Sequence, residues 1–120
     1  MREATFFVLA ALANGPKHGY ALISEARELS NGRFDLKVGT LYPALHRLLQ
    51  QGLVTREGDE VVDRKVRHYF NLSGAGAGAL LEEIVRLESN AREGRARLVM
   101  RGAREEARSL AVEVGLEEAL

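Results

Sequence analysis

The stretch Lys37–Val54, KVGTLYPALHRLLQQGLV, constrains this chain more than any other. Leu41, Leu45, Leu48 and Leu49 recur at i, i+4, i+7 and i+8, the spacing of one helical face. Gly39, Pro43, His46, Arg47 and Gln50 fall on the other side, and Gly52 stands where a C-terminal cap belongs. Pro43 limits where the helix can begin. A residue without an N–H costs nothing only among the unpaired donors of the first turn. Thr40 is therefore the expected N-cap, within a residue or two. A start near Val38 would instead leave the Gly39 carbonyl without its usual donor and bend the first turn. The outcome is a short helix with one apolar side for a core. Its free side carries Arg47, Gln50 and His46, donors suited to phosphates and base edges, and no carboxylate.

The segments around it supply a frame. Arg2–Ala13 reads as a helix stopped by Asn14-Gly15-Pro16. Every residue from Phe6 to Ala13 is apolar, so that helix must be covered on more than one side. A second subunit is the expected cover, with the last helix of the same chain as the alternative, and Phe6 and Phe7 become candidate dimer contacts. Lys17–Leu29 is the next helix, with Leu22, Ala26 and Leu29 on a shared face and Ser30-Asn31-Gly32 ending it. Residues 33–38 connect it to the Lys37–Val54 stretch, with a short extended piece at Phe34 and Leu36. Three short helices, the last with a polar outer face, follow the order of a helix-turn-helix.

Leu53–Glu57 can form a strand, Gly58-Asp59-Glu60 signals a turn, and Lys65–Leu72 alternates in the manner of a strand. Val66, His68, Phe70 and Leu72 share one of its faces. A hairpin directly after a helix-turn-helix is the order of a winged helix. Arg64, Lys65 and Arg67 then place positive charge on the wing, beside a helix face without carboxylates, where phosphates could be met.

Ser73 is a fair N-cap for the last helix, which opens with GAGAGALL. Each glycine inside a helix costs ~1 kcal/mol relative to alanine, so this start is either frayed or packed closely on something. Leu80, Ile84, Leu87, Ala91 and Leu98 follow a heptad seam with Gly94 as its weak point, and a partner helix is implied. Beyond Gly102 the stripe Ala107, Leu110, Ala111 and Val114 either continues that helix or folds back; residues 103–118 are open between the two. The fold expected is mainly α with a small β-hairpin. Residues 1–73 form a winged helix-turn-helix, and residues 74–120 form a long C-terminal dimerisation helix region.

Composition excludes more than it selects. Lys plus Arg equals Asp plus Glu at 17 each, so net charge points to no partner. The chain has no cysteine, which removes disulfides and thiolate metal sites. No leader pattern opens it and no apolar run is long enough for a bilayer, so a cytoplasmic protein without a membrane partner is expected. Gly74, Gly76 and Gly78 give GxGxG rather than a dinucleotide fingerprint, and no βαβ unit follows. His18, His46 and His68 lie in different elements without a spaced partner ligand. No nucleophile has a recognisable base. Catalytic residues, metal and cofactor are therefore all expected to be absent.

HGY at 18–20, GTLYPAL at 39–45, GLV at 52–54 and HYFNLSGAG at 68–76 together resemble the PadR family of bacterial transcriptional regulators. The match runs through about the first 80 residues in order. It implies a winged helix, dimerisation through the last helix with help from the first, and repression by operator binding. It also implies the short subfamily with a single C-terminal dimerisation helix. The chain departs from the family pattern at Lys37-Val38 and at Lys65-Val66-Arg67-His68. It departs again at Phe70, where a second tyrosine is usual, and at Gly74, where a glutamate is usual. Expected DNA contacts are Lys37, Thr40, Tyr42, Pro43, His46 and Arg47, with Arg64, Lys65 and Arg67 on the wing. By resemblance Thr40 and Tyr42 touch phosphate; His46 and Arg47 are the candidates for base edges. Expected dimer contacts are Phe6, Phe7, Leu80, Ile84, Leu87, Ala91 and Leu98. The partners are double-stranded DNA and a second copy of the chain, with room left for a small-molecule effector of unknown identity. No aromatic residue lies beyond Phe70, so the last helix offers nothing to stack on a flat ligand. The reading from another class is a winged helix that docks protein instead of DNA.

Overall fold

The computed structural model describes residues 1–115. The element order is α1 (Glu3–Leu12), β1 (Lys17–His18), α2 (Gly19–Leu29), α3 (Val38–Gln50), β2 (Val54–Val62), β3 (Lys65–Leu72) and α4 (Gly74–Val114). The strands form one antiparallel sheet in the order β1-β3-β2, with Lys17 opposite Phe70 and Val54 opposite Leu72. Two compact units follow from this chain, Met1–Glu83 and the part from Ile84 onward. The first unit takes the opening turns of α4 with it.

The core of the first unit joins Val8, Leu9, Leu12, Leu22, Leu36, Leu41, Leu45 and Val54, all nearly inaccessible. α1 packs on α2, α3 and β3, which buries Ala4, Phe7, Val8, Leu9, Ala11 and Leu12. Neighbours in its own chain thus cover much of α1, while Thr5, Phe6 and Ala10 stay partly exposed. Phe7 stacks on Phe34 at 5.3 Å between ring centroids and stands edge-on to Phe6, which stays half-buried. The connector before α3 contains no strand. It is held by Leu36 in the core and by buried Ser30, whose Oγ accepts the Phe34 N–H at 2.9 Å. Ser30 continues the inward line of Leu22 and Ala26, so Leu29 stays 48% exposed.

Three boundaries differ from the sequence expectation. α3 begins at Val38, with extended Lys37 as N-cap and no side-chain capping bond. The Thr40 and Leu41 N–H groups both donate to the Lys37 carbonyl, at 3.0 and 2.8 Å, so Thr40 lies inside the helix. Pro43 is therefore past the first turn and the Gly39 carbonyl lacks its i+4 donor. Gly39 is exposed, where water can meet that carbonyl. The hairpin turn is Asp63-Arg64, both at positive φ (51° and 64°), the two-residue geometry that matches strand twist. Gly58 makes a bulge instead: the register slips between Arg56 and Gly58, and β2 runs on to Val62. Finally, Lys17-His18 leaves the second helix to pair with β3. The His18 Nδ1 then caps α2, accepting from the Ala21 N–H at 3.4 Å.

The end of α3 and the start of α4 meet at one backbone corner. Gly52, at φ 71°, closes α3 with its N–H on the Leu49 carbonyl, while the Leu53 N–H reaches the Leu48 carbonyl. Ser73 caps α4 as expected: its Oγ accepts the Gly76 N–H at 3.0 Å and donates to the Gly52 carbonyl at 2.6 Å. Farther along, the Met1 ammonium nitrogen lies 2.8 Å from the buried Glu83 carboxylate.

α4 is continuous to Val114 through both Gly94 and Gly102, which resolves the open alternative for residues 103–114. Residues 116–118 of that alternative lie outside the described residues. Along the second unit Leu87 is 43% and Leu98 67% exposed. A second stripe, Ala96, Met100, Ala103, Ala107, Leu110 and Val114, alternates by four and three residues. It lies on a different side of the helix from the seam through Leu87, Ala91 and Leu98.

Candidate nucleic-acid interface

α3 divides cleanly. Leu41, Ala44, Leu45 and Leu48 are buried; Lys37, Val38, Gly39, Thr40, Tyr42, Pro43, His46, Arg47 and Gln50 are exposed. At 100° per residue the outermost line is Gly39, Pro43, His46 and Gln50. Tyr42 and Leu49 flank it toward the wing, and Thr40 and Arg47 flank it on the other side. Arg47 borders a cleft that Met1, Arg2, Thr5 and Gln51 also line, so Arg2 at the start of α1 shares that cleft with it.

Tyr42 is set by a glycine. A Cβ on Gly19 would lie 2.6 Å from the Tyr42 hydroxyl and 3.3 Å from the ring. The phenol thus packs against the first residue of α2 with its ring half-exposed, and HGY and GTLYP are two halves of one contact. Lys37 is not a lone cation: its ammonium pairs with Asp35, which also takes Arg27 at 3.1 Å. Those two hydrogen bonds, the one from Lys37 first, hold the Asp35 carboxyl below the usual carboxylate range.

The wing keeps its carboxylates on β2 and the turn and most of its cations on the turn and β3, with Arg56 on β2 the exception. β2 and the turn hold Glu57, Asp59, Glu60 and Asp63, while the turn and β3 hold Arg64, Lys65 and Arg67. Three carboxylates are engaged across the ladder. Asn71 donates to Glu57 at 3.2 Å, His68 Nδ1 lies 2.7 Å from Asp59, and the Tyr69 hydroxyl donates to Glu60 at 2.7 Å. The last bond pushes the Tyr69 phenol above its ordinary value, because the neutral form donates to a carboxylate. Arg64, Lys65 and Arg67 are exposed. Val66 and His68 are exposed as well, because the hairpin reaches past the core that covers Phe70 and Leu72.

Gln50, read from the sequence as a donor on the free side of α3, stands on its outermost line. One residue escaped the sequence reading of the site. Arg56 is the one cation of β2, and strand alternation from buried Val54 puts it on the side facing α3. There it lines a cleft with Tyr42, His46, Leu49 and His68. Among the described residues no cluster suited to a metal ion occurs, and no helix is long and apolar enough to cross a membrane.

Comparison with known proteins agrees with this geometry. The profile of the "Transcriptional regulator PadR-like family" matches residues 8–82. "Transcriptional regulator Rv3488" of Mycobacterium tuberculosis is 40% identical over 86 residues, covering 72% of this chain and 77% of that protein. Among solved structures, a PadR family transcriptional regulator from Eggerthella lenta superposes with a TM-score of 0.64 at 28% identity, covering 79% of this chain and 80% of that one. Bacillus subtilis PadR, solved in complex with operator DNA, shares the fold with a TM-score of 0.63 at 22% identity, over 70% of this chain and 48% of that one. These relatives are regulators, not enzymes, and their winged-helix fold is the one described above. The chain belongs to the PadR-like family of transcriptional regulators.

Proposed function

We propose that this protein is a repressor that binds an inverted-repeat operator as a homodimer. The observation that carries the reading is the exposed face of α3, without a carboxylate from Val38 to Gln50, next to a wing that carries Arg64, Lys65 and Arg67 on its turn and β3 and Arg56 on β2. A helix fits the major groove, and two copies on a two-fold axis require half-sites about one turn apart. The operator complex of Bacillus subtilis PadR supports the same use of the fold. Lys37, Thr40, Tyr42 and Pro43 lie at the start of α3, His46 and Arg47 farther along, and Arg64, Lys65 and Arg67 on the wing. Dimer contacts run through Leu80, Ile84, Leu87, Ala91 and Leu98. Phe6 is the more accessible of the two α1 rings, since Phe7 already stacks within its own chain.

A mobility shift on the DNA upstream of its own gene, at two salt concentrations, tests the reading. A retarded, salt-sensitive complex is expected, and no shift at either salt would favour a protein-docking winged helix. Within that assay Arg47→Ala should cost ~1–3 kcal/mol on the operator and much less on random duplex if the guanidinium grips a guanine edge. Equal losses on both would place Arg47 on phosphate, where Arg2 of the same cleft would join it. Replacing Lys65 and Arg67 by alanine should weaken both duplexes alike and flatten the salt dependence by about 0.9 for each phosphate that is no longer neutralised. An unchanged slope would mean that the wing points away from DNA.

A further inference from the structure

The cleft between α3 and the wing has a volume of about 280 Å³, roughly nine times the share of one water in the liquid. Its floor is apolar: Leu45 and Phe70 are almost fully buried, and Leu49 closes it. Its walls are not. Tyr42 and His46 come from α3, and Arg56 and His68 from β2 and β3. The register puts Arg56, Asp59, His68 and Phe70 on the sheet face toward α3, because Arg56 stands opposite Phe70 and Asp59 opposite His68. Glu57 and Glu60 bond to Asn71 and Tyr69 on the other face. The charged and titratable groups facing the cleft are thus Arg56, His46, His68, the Tyr42 phenol, and Asp59 behind His68.

We propose that this cleft seats one backbone phosphodiester of duplex DNA, held by the Arg56 guanidinium, with the rings of His46, His68 and Tyr42 as its walls. The proposal rests on the DNA-binding reading above and adds a site to it. A guanidinium fork matches two phosphate oxygens, and an apolar floor strengthens the attraction by keeping water out. With the line Gly39, Pro43, His46 and Gln50 in the groove, the strand bordering that groove runs along the side of α3 that faces the wing. Leu49 offers an apolar rest for the sugar.

The test is fluorescence anisotropy with a labelled random-sequence duplex of about 30 base pairs at low salt, where sequence-independent binding is measurable. Wild type and Arg56→Gln are compared across several salt concentrations. Arg56→Gln should weaken binding about tenfold and flatten the salt slope by about 0.9 per protomer. The Arg56 side chain is exposed, and an unchanged thermal midpoint confirms that the variant is folded. Wild-type affinity and slope in Arg56→Gln would overturn the seat while DNA binding stands. Wild type failing to bind any duplex would overturn both.

Discussion

Gly76→Ala should destabilise the protein by about 1–3 kcal/mol or more, although alanine is the better helix former. A Cβ at this position would stand 2.0 Å from the Leu53 carbonyl oxygen, 2.7 Å from Leu72 Cδ1 and 3.0 Å from the Leu53 carbonyl carbon. The Leu72 side chain can turn away. The Leu53 carbonyl cannot move freely, because it accepts the Ser73 N–H at 3.1 Å and adjoins Gly52, the left-handed residue that ends α3. The first turn of α4 must therefore lift off the corner or the corner must open. Gly78→Ala is the control: nothing lies within 4 Å of its Cβ position. That variant should gain the ordinary helix propensity of about 0.5–1 kcal/mol. Urea unfolding of both variants measures the contrast. A Gly76→Ala midpoint at or above wild type would mean that α4 does not start docked on Leu53.

The same residue shows how far the sequence could be read. Close packing was one of two readings of GAGAGALL, and only three-dimensional distances choose between them for Gly76. Helix periodicity in α3 was strong because four leucines repeat on one face, and that also delivered His46 and Arg47 as exposed. Its first residue was obscured, since Lys37 caps with backbone alone and leaves no side-chain signature. The wing was recognisable from β3, but its turn was misplaced. Gly58 has the look of a turn glycine and serves a bulge, while the true turn uses Asp63 and Arg64, the latter an unusual residue at positive φ. A two-residue strand such as β1 has no period to detect. Arg56 was passed over because it stands beside Glu57 in a stretch rich in acids. Only the pairing with Phe70 reveals that it faces α3 and its neighbours do not.

Leu87→Asp should convert a homodimer into monomers, and it separates assembly from folding better than a change nearer the core. Leu87 is 43% exposed in the single chain, so a carboxylate there disturbs little within one protomer. Ile84→Asp would weaken the dimer as well, but Ile84 is already half-buried and its loss would confound the two effects. In a dimer the Leu87 position is covered by apolar partner atoms, and a carboxylate without a compensating partner is costly there. The exposed run of Leu87, Leu98, Val99, Met100, Leu110 and Val114 is more apolar surface than a stable solitary helix needs to show. Light scattering of wild type at micromolar concentration should give twice the 13.2 kDa chain mass, and Leu87→Asp should give the chain mass itself. Operator affinity should fall with it by about 10²-fold or more, because two linked recognition helices bind with an effective concentration that separate ones lack. A wild-type mass of one chain would sink the homodimer. A variant that stays dimeric and keeps its operator affinity would move the interface off the Leu80–Leu98 seam and onto the stripe from Ala96 to Val114.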